Sequence, residues 1–163
     1  MKKIFIYILS TIISLSISMH AFSETIEEIE KILINHNEKG YSFIKKLGQG
    51  SWKVSLEYQG GSKEVYVYVS PNKNNPDFDI VYIYTGIKVY NDSDLNSALD
   101  DLIFALQRNS APSEWGTFSL YKEGNKWYLD YNVKIRRKYA NETHLMNAIG
   151  WVVGGASVYE KQF

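Results

Sequence analysis

Apolar residues along the chain change period several times, and each change marks an element. Lys2 and Lys3 precede an apolar run from Ile4 to Ile17 broken only by small hydroxyl residues, and Ala21-Phe22-Ser23 then places small residues where a signal peptidase reads. Residues 1–23 are expected to be a cleavable secretory signal. Ile4 to Phe22 also approaches the roughly 20 residues that cross a bilayer, so retention as an anchor is the alternative. From Glu24 to Lys39, Ile26, Ile29, Ile32, Leu33 and His36 fall near one helical stripe, with Glu24, Glu27 and Glu28 in the first turns and Gly40 as the stop.

The period then shortens to two. Trp52, Val54, Leu56 and Tyr58 alternate with Lys53, Ser55 and Glu57, and Gly60-Gly61 turns the chain. Val65, Val67 and Val69 then alternate with Glu64, Tyr66 and Tyr68 as far as Ser70-Pro71-Asn72. A third strand, Asp79 to Tyr90, follows a polar loop. Asn91-Asp92-Ser93-Asp94 supplies acceptors suited to a helix cap, and Leu95, Leu99, Leu102, Ile103 and Leu106 repeat behind it at helical spacing, before Pro112. Thr117–Tyr121 and Trp127–Arg137 predict a second hairpin around Glu123-Gly124-Asn125. In it Trp127, Leu129, Tyr131, Val133 and Ile135 face one way, and Tyr128, Asp130, Asn132, Lys134 and Arg136 the other. A last helix, capped by Asn141, carries Leu145, Ile149, Val152, Val153 and Ala156 on one side. The reading is one α+β domain over residues 24–163, an antiparallel sheet of about five strands with three helices in the order αβββαββα.

Several local signals in that order carry a resemblance. Gly40-Tyr41 after the opening helix, Gly50-Ser51-Trp52-Lys53-Val54 at the first strand, Gly116-Thr117-Phe118-Ser119-Leu120 and Lys122-Glu123-Gly124-Asn125-Lys126-Trp127 look similar to the YbjN family. The resemblance implies the fold of type III secretion chaperones, an antiparallel sheet with helices packed beside it, and a binding or chaperone-like domain without catalytic residues to carry over.

Composition narrows the function. The 163 residues hold 18 basic and 18 acidic side chains, so bulk electrostatics gives no grip on a polyanion and no nucleic-acid partner is expected. Removing Lys2 and Lys3 with the signal leaves 16 basic against 18 acidic groups and no membrane attachment. Aromatic residues reach 15%, including 13 tyrosines, which suits strands better than a helical bundle. With no cysteine, neither a disulfide nor a lipid-modified N-terminal cysteine can form, although export to a periplasmic or secreted location would permit a disulfide.

Catalytic and metal chemistry finds little purchase. His20 leaves with the signal, and His36 and His144 are far apart without a zinc-binding pattern. No nucleophile elbow or P-loop occurs, and Gly48-Gln49-Gly50 reads as a turn. Asp92, Asp94 and Asn96 imitate the opening of a calcium loop, but Ser97 and Ile103 stand where its glycine and glutamate belong, so a helix cap is the better reading. Glu57 and Glu64 could approach across the first hairpin as a solvated pair. No metal and no cofactor is expected.

The tyrosines are what remains. If valines give the second strand's core face, Tyr66 and Tyr68 take the other; Tyr82 and Tyr84 share one face of the third strand, and Tyr128 projects from the polar side of the last hairpin. Helices covering that face would make these rings core. An open face would make Tyr66, Tyr68, Tyr82, Tyr84 and Tyr128 a binding surface, because tyrosine gives large contact area at low entropic cost. The glycines of Gly150-Trp151-Val152-Val153-Gly154 predict close packing of the last helix against its own sheet, with a homodimer contact as the alternative. The function expected is an exported, non-catalytic protein- or peptide-binding domain, chaperone-like or envelope-associated. The alternative is a small exported hydrolase, or an inhibitor of one, without a recognisable motif.

Overall fold

The computed structural model describes residues 24–36, 43–72, 75–94, 98–109 and 116–160. Residues 1–23, and with them the export signal, lie outside the described residues. The elements run α1 (residues 24–36), β1 (Phe43–Gly48), β2 (Ser51–Tyr58), β3 (Gly61–Ser70), β4 (Ile80–Asn91), α2 (Leu99–Asn109), β5 (Thr117–Glu123), β6 (Lys126–Arg136) and α3 (Glu142–Tyr159). Among the described residues the fold is α+β with three helices, but the antiparallel sheet has six strands, not five, in the order β1-β2-β3-β4-β6-β5. The additional strand is β1. Its sequence FIKKLG lacks period-two alternation, and it pairs with β2 from the sheet edge, Ile44 opposite Val54 and Lys46 opposite Trp52. Gly48 ends β1, and Gln49-Gly50 turns the chain into β2.

The first hairpin turns at Gln59-Gly60, both with positive φ, one residue earlier than the two glycines suggest. Trp52, Val54, Val65, Val67, Val69, Val81, Ile83 and Val133 form one continuous buried face of the sheet. Ile26, Ile29 and Leu33 of α1, with Leu145, Ile149, Val152 and Val153 of α3, close over it. A second cluster joins Tyr90, Phe118, Leu129 and Tyr131 of the same face to Ala98, to Ala105 of α2 and to Tyr159 of α3. The three described helices therefore lie on one side of the sheet.

Two helices differ in detail from expectation. Leu99, Ile103 and Leu106 of α2 are exposed, and Ala98, Ala105 and half-buried Phe104 make its contact with the core. Asn91 ends β4 and Asp92–Asp94 forms a short 3-10 turn; Asp92 accepts from Lys122 (2.8 Å) and Trp127 Nε1 (2.6 Å), and Asp94 from Asn91 and Ser93 (both 2.9 Å). Both carboxyls are held below the ordinary range by these donors. Asn96, the third member of the calcium-like run, lies outside the described residues. In α3 the Asn141 side chain accepts from the His144 backbone N–H at 3.0 Å, as a cap should. The helix does pack closely on its own sheet, but through Gly155: a Cβ there would stand 2.4 Å from Tyr131 Cε1, whereas Gly150 has open space and Gly154 only ordinary contact.

Candidate functional site

With every helix on one side, the other sheet face is uncovered among the described residues. Antiparallel pairing places Tyr66 opposite Tyr84 and Tyr68 opposite Tyr82. The next strand brings Asn132 opposite Tyr84 and Lys134 opposite Tyr82, and puts Asp130 opposite Gly86. On the far side β5 sets Ser119 opposite Asp130 and Tyr121 opposite Tyr128. Strand pairing alone thus assembles an aromatic surface from four strands.

The rings pair across strands. Tyr66 stacks on Tyr84 with centroids 5.4 Å apart and planes at 22°; Tyr121 stacks on Tyr128 at 5.2 Å and 13°; Tyr68 and Tyr82 sit at 6.5 Å, tilted by 40°. Between these pairs runs an open groove of about 540 Å³. Tyr68, Tyr82, Tyr84 and Tyr121 line it, together with Asp130 and Asn132, and Ser70 and Ser119 complete it. Its volume lies within the range of small-ligand clefts.

Three of the five tyrosines singled out from sequence, Tyr68, Tyr82 and Tyr84, line the groove; Tyr66 and Tyr128 stand outside the lining and back Tyr84 and Tyr121. Tyr121, Asp130 and Asn132 join the lining beyond the five tyrosines that the sequence offers. The signal was present, since alternation along β6 had already put Asp130 and Asn132 on the side of Tyr128.

The groove's electrostatics centre on Asp130. It is 6% exposed, and burial pushes its carboxyl up to about 6. Burial, and then the nearby Asp130 charge, raises the Tyr84 phenol and pushes Tyr121 up to about 12, so both rings stay neutral at physiological pH. Asn132 is fixed by its neighbours: its amide donates to Ser119 Oγ at 2.7 Å and its oxygen accepts from Thr117 Oγ1 at 3.2 Å. Towards β1, Lys53 and Glu64 form an exposed ion pair at 2.6 Å, to which the Tyr66 hydroxyl adds a 3.3 Å hydrogen bond. That pairing occupies Glu64, while Glu57 stands opposite Ser62.

The two histidines serve structure elsewhere. His36 Nδ1 lies 3.3 Å from the Ile32 carbonyl and 3.6 Å from Glu142, and the His144 ring meets the Asn141 cap. Among the described residues no group of three or more His, Asp or Glu side chains could hold a metal ion. Compared with known proteins, the chain matches no family model and no curated protein sequence.

Proposed function

We propose that the protein is an exported, non-catalytic binding module of chaperone-like character that captures a protein or peptide segment on its tyrosine face. The observation that carries this reading is the one-sided placement of the described helices, which among the described residues leaves a groove lined by four tyrosines open to solvent. Rings that are amphipathic and already stacked on one another offer contact area with little further ordering. The hydrolase alternative asks for converging acids, bases or nucleophiles. Among the described residues Asp130 is the one perturbed carboxyl in the groove, and no histidine and no second acid lines it to share proton transfer. Membership of the YbjN family would imply the same class of function.

The double variant Tyr66→Ser with Tyr68→Ser tests this. Tyr68 is 42% exposed and Tyr66 half-buried, so the pair should lose no more than about 2 kcal/mol of stability, from cross-strand and ring-stacking contacts. Capture of a partner recovered from the envelope of the producing cell should weaken by about 10-fold or more, as truncation of interface aromatics commonly does. Unfolding of the variant would assign the rings to the core, and unchanged capture would move the binding site elsewhere.

A further inference from the structure

Asp130 occupies an unusual position for an acid. It is more than nine-tenths buried, yet among the described residues no side chain donates to its carboxylate and no cation pairs with it. The neighbouring polar groups satisfy one another instead, Thr117 bonding Asn132 and Asn132 bonding Ser119. Across the β4–β6 pairing stands Gly86, where a Cβ would lie 3.9 Å from Asp130 Oδ1, so no side chain shields the carboxylate on that side. A carboxylate that is largely desolvated and unpaired is costly in a folded protein, and such costs gather where a ligand supplies the missing partner.

The walls around it favour a cation. Tyrosine faces attract positive charge, and two cations on this sheet face already stand over rings: Lys134 Nζ is 5.3 Å from the Tyr82 ring and the Arg136 guanidinium 5.2 Å from Phe78. Neither forms an ion pair with Asp130. We propose that the groove receives the side-chain cation of an arginine or lysine in a partner segment, with Asp130 as its counter-ion and the rings of Tyr82, Tyr84 and Tyr121 as its walls. Arginine fits better than lysine: its planar fork offers two parallel N–H groups to one carboxylate, its face stacks on aromatic rings, and it is the more weakly hydrated ion. This inference rests on the binding reading and names the chemistry of the partner.

The site also carries a pH signature. Around Asp130 the titratable and charged groups on the same face are Lys126, Tyr128, Lys134 and Arg136 of β6, Tyr82 and Tyr84 of β4, Tyr121 and Glu123 of β5, and Tyr66, Tyr68 and Glu64 of β3, the last paired with Lys53 of β2. The Tyr84 and Tyr121 phenols are raised and remain neutral, so the charge that changes at the floor of the groove near pH 6 is that of Asp130 itself. Capture of a cation requires the ionised form, so affinity falls towards 10-fold per pH unit below about pH 6.

Panning a display library of random dodecapeptides on the protein at pH 7.5, in parallel with the Asp130→Asn variant, tests the inference. The expected result is enrichment of peptides with arginine or lysine at one fixed position. Synthetic versions should bind Asp130→Asn at least 10-fold more weakly, although that variant melts no lower than the parent. Arginine amide in the millimolar range should compete. Peptides without a basic position, held equally by protein and variant, would overturn the cation site while leaving the peptide-binding reading in place. Enrichment of no peptide, with arginine amide still held in an Asp130-dependent way, would overturn the polypeptide occupant in favour of a small-molecule amine. Failure of every probe would overturn both readings.

Discussion

Strands β3 and β4 show two different surfaces to their surroundings. On one side Val65, Val67, Val69, Val81 and Ile83 are fully buried under α1 and α3; on the other the intervening residues are Tyr66, Tyr68, Tyr82 and Tyr84, which no described helix covers. The first face is uniformly apolar and β-branched, so removing it from water stabilises the fold at roughly 25 cal/mol per Å² of apolar area. The second mixes rings, hydroxyls and charged groups, and its stacked pairs shelter each other from solvent without excluding it. A strand's period of two keeps these surfaces apart, and a slip of one residue in register would exchange them. Side chains of the two faces can therefore be changed one face at a time, and each face answers differently.

The largest effect is expected on the covered face. Trp52 is 1% exposed, and its Nε1 is buried without a hydrogen-bond partner. Trp52→Ala should cost about 3–5 kcal/mol through lost burial and the cavity left behind, a large part of the 5–15 kcal/mol that stabilises a typical domain. Trp52→Phe should cost far less, because it also removes the unsatisfied N–H. Urea denaturation monitored by far-UV circular dichroism separates the two variants, and an alanine variant within about 1 kcal/mol of the parent would break the assignment of this face as the core.

On the open face the corresponding experiment should run in the opposite direction. Asp130 titrates near 6 in the fold against an ordinary value of 3.8, so the folded state binds the extra proton between those values. Stability contributed by this group is present in acid and is lost as pH rises from about 4 to about 6, leaving the charged carboxylate unfavourable by about 2–3 kcal/mol at pH 7. Asp130→Asn should raise stability by about that amount at pH 7, have little effect at pH 4, and flatten this segment of the pH–stability curve. A destabilised variant at pH 7 would mean that the carboxylate has a structural partner and does not await a ligand.

The separation between the faces was largely legible in the chain. Alternation at Trp52–Tyr58, Glu64–Val69 and Trp127–Ile135 assigned inward and outward residues correctly, because a half-buried strand must place every second side chain in the core. Strand β1 escaped because Lys45 and Lys46 interrupt its apolar residues and an edge strand needs no clean alternation. The exposed Leu99, Ile103 and Leu106 of α2 misled, since helical spacing shows that a stripe exists and not which element lies beneath it. Asp130 could be assigned to the open face from its neighbours along β6. Its burial could not, because that depends on β6 lying between β4 and β5, a strand order that local periodicity does not encode.

The smallest expected effect comes from a pair of glycines that divides along the same line. Gly155, on the covered side, faces Tyr131 so closely that a Cβ would stand 2.4 Å from a ring carbon, while Gly86, in the sheet opposite Asp130, would place one at an ordinary 3.9 Å from Oδ1. Gly155→Ala gains helix propensity but must displace a buried ring or shift α3, so a net loss of about 1–2 kcal/mol is expected. Gly86 does not have the positive φ that strains a side chain, and Gly86→Ala should stabilise the protein by about 0.5 kcal/mol through the reduced freedom of the unfolded chain. The added methyl also displaces water from beside the carboxylate, so the Asp130 titration followed by carbon NMR should move further upward. An unchanged titration would show that solvent reaches Asp130 from the groove alone, and would confine the approach of any cation to the side lined by Tyr84 and Tyr121.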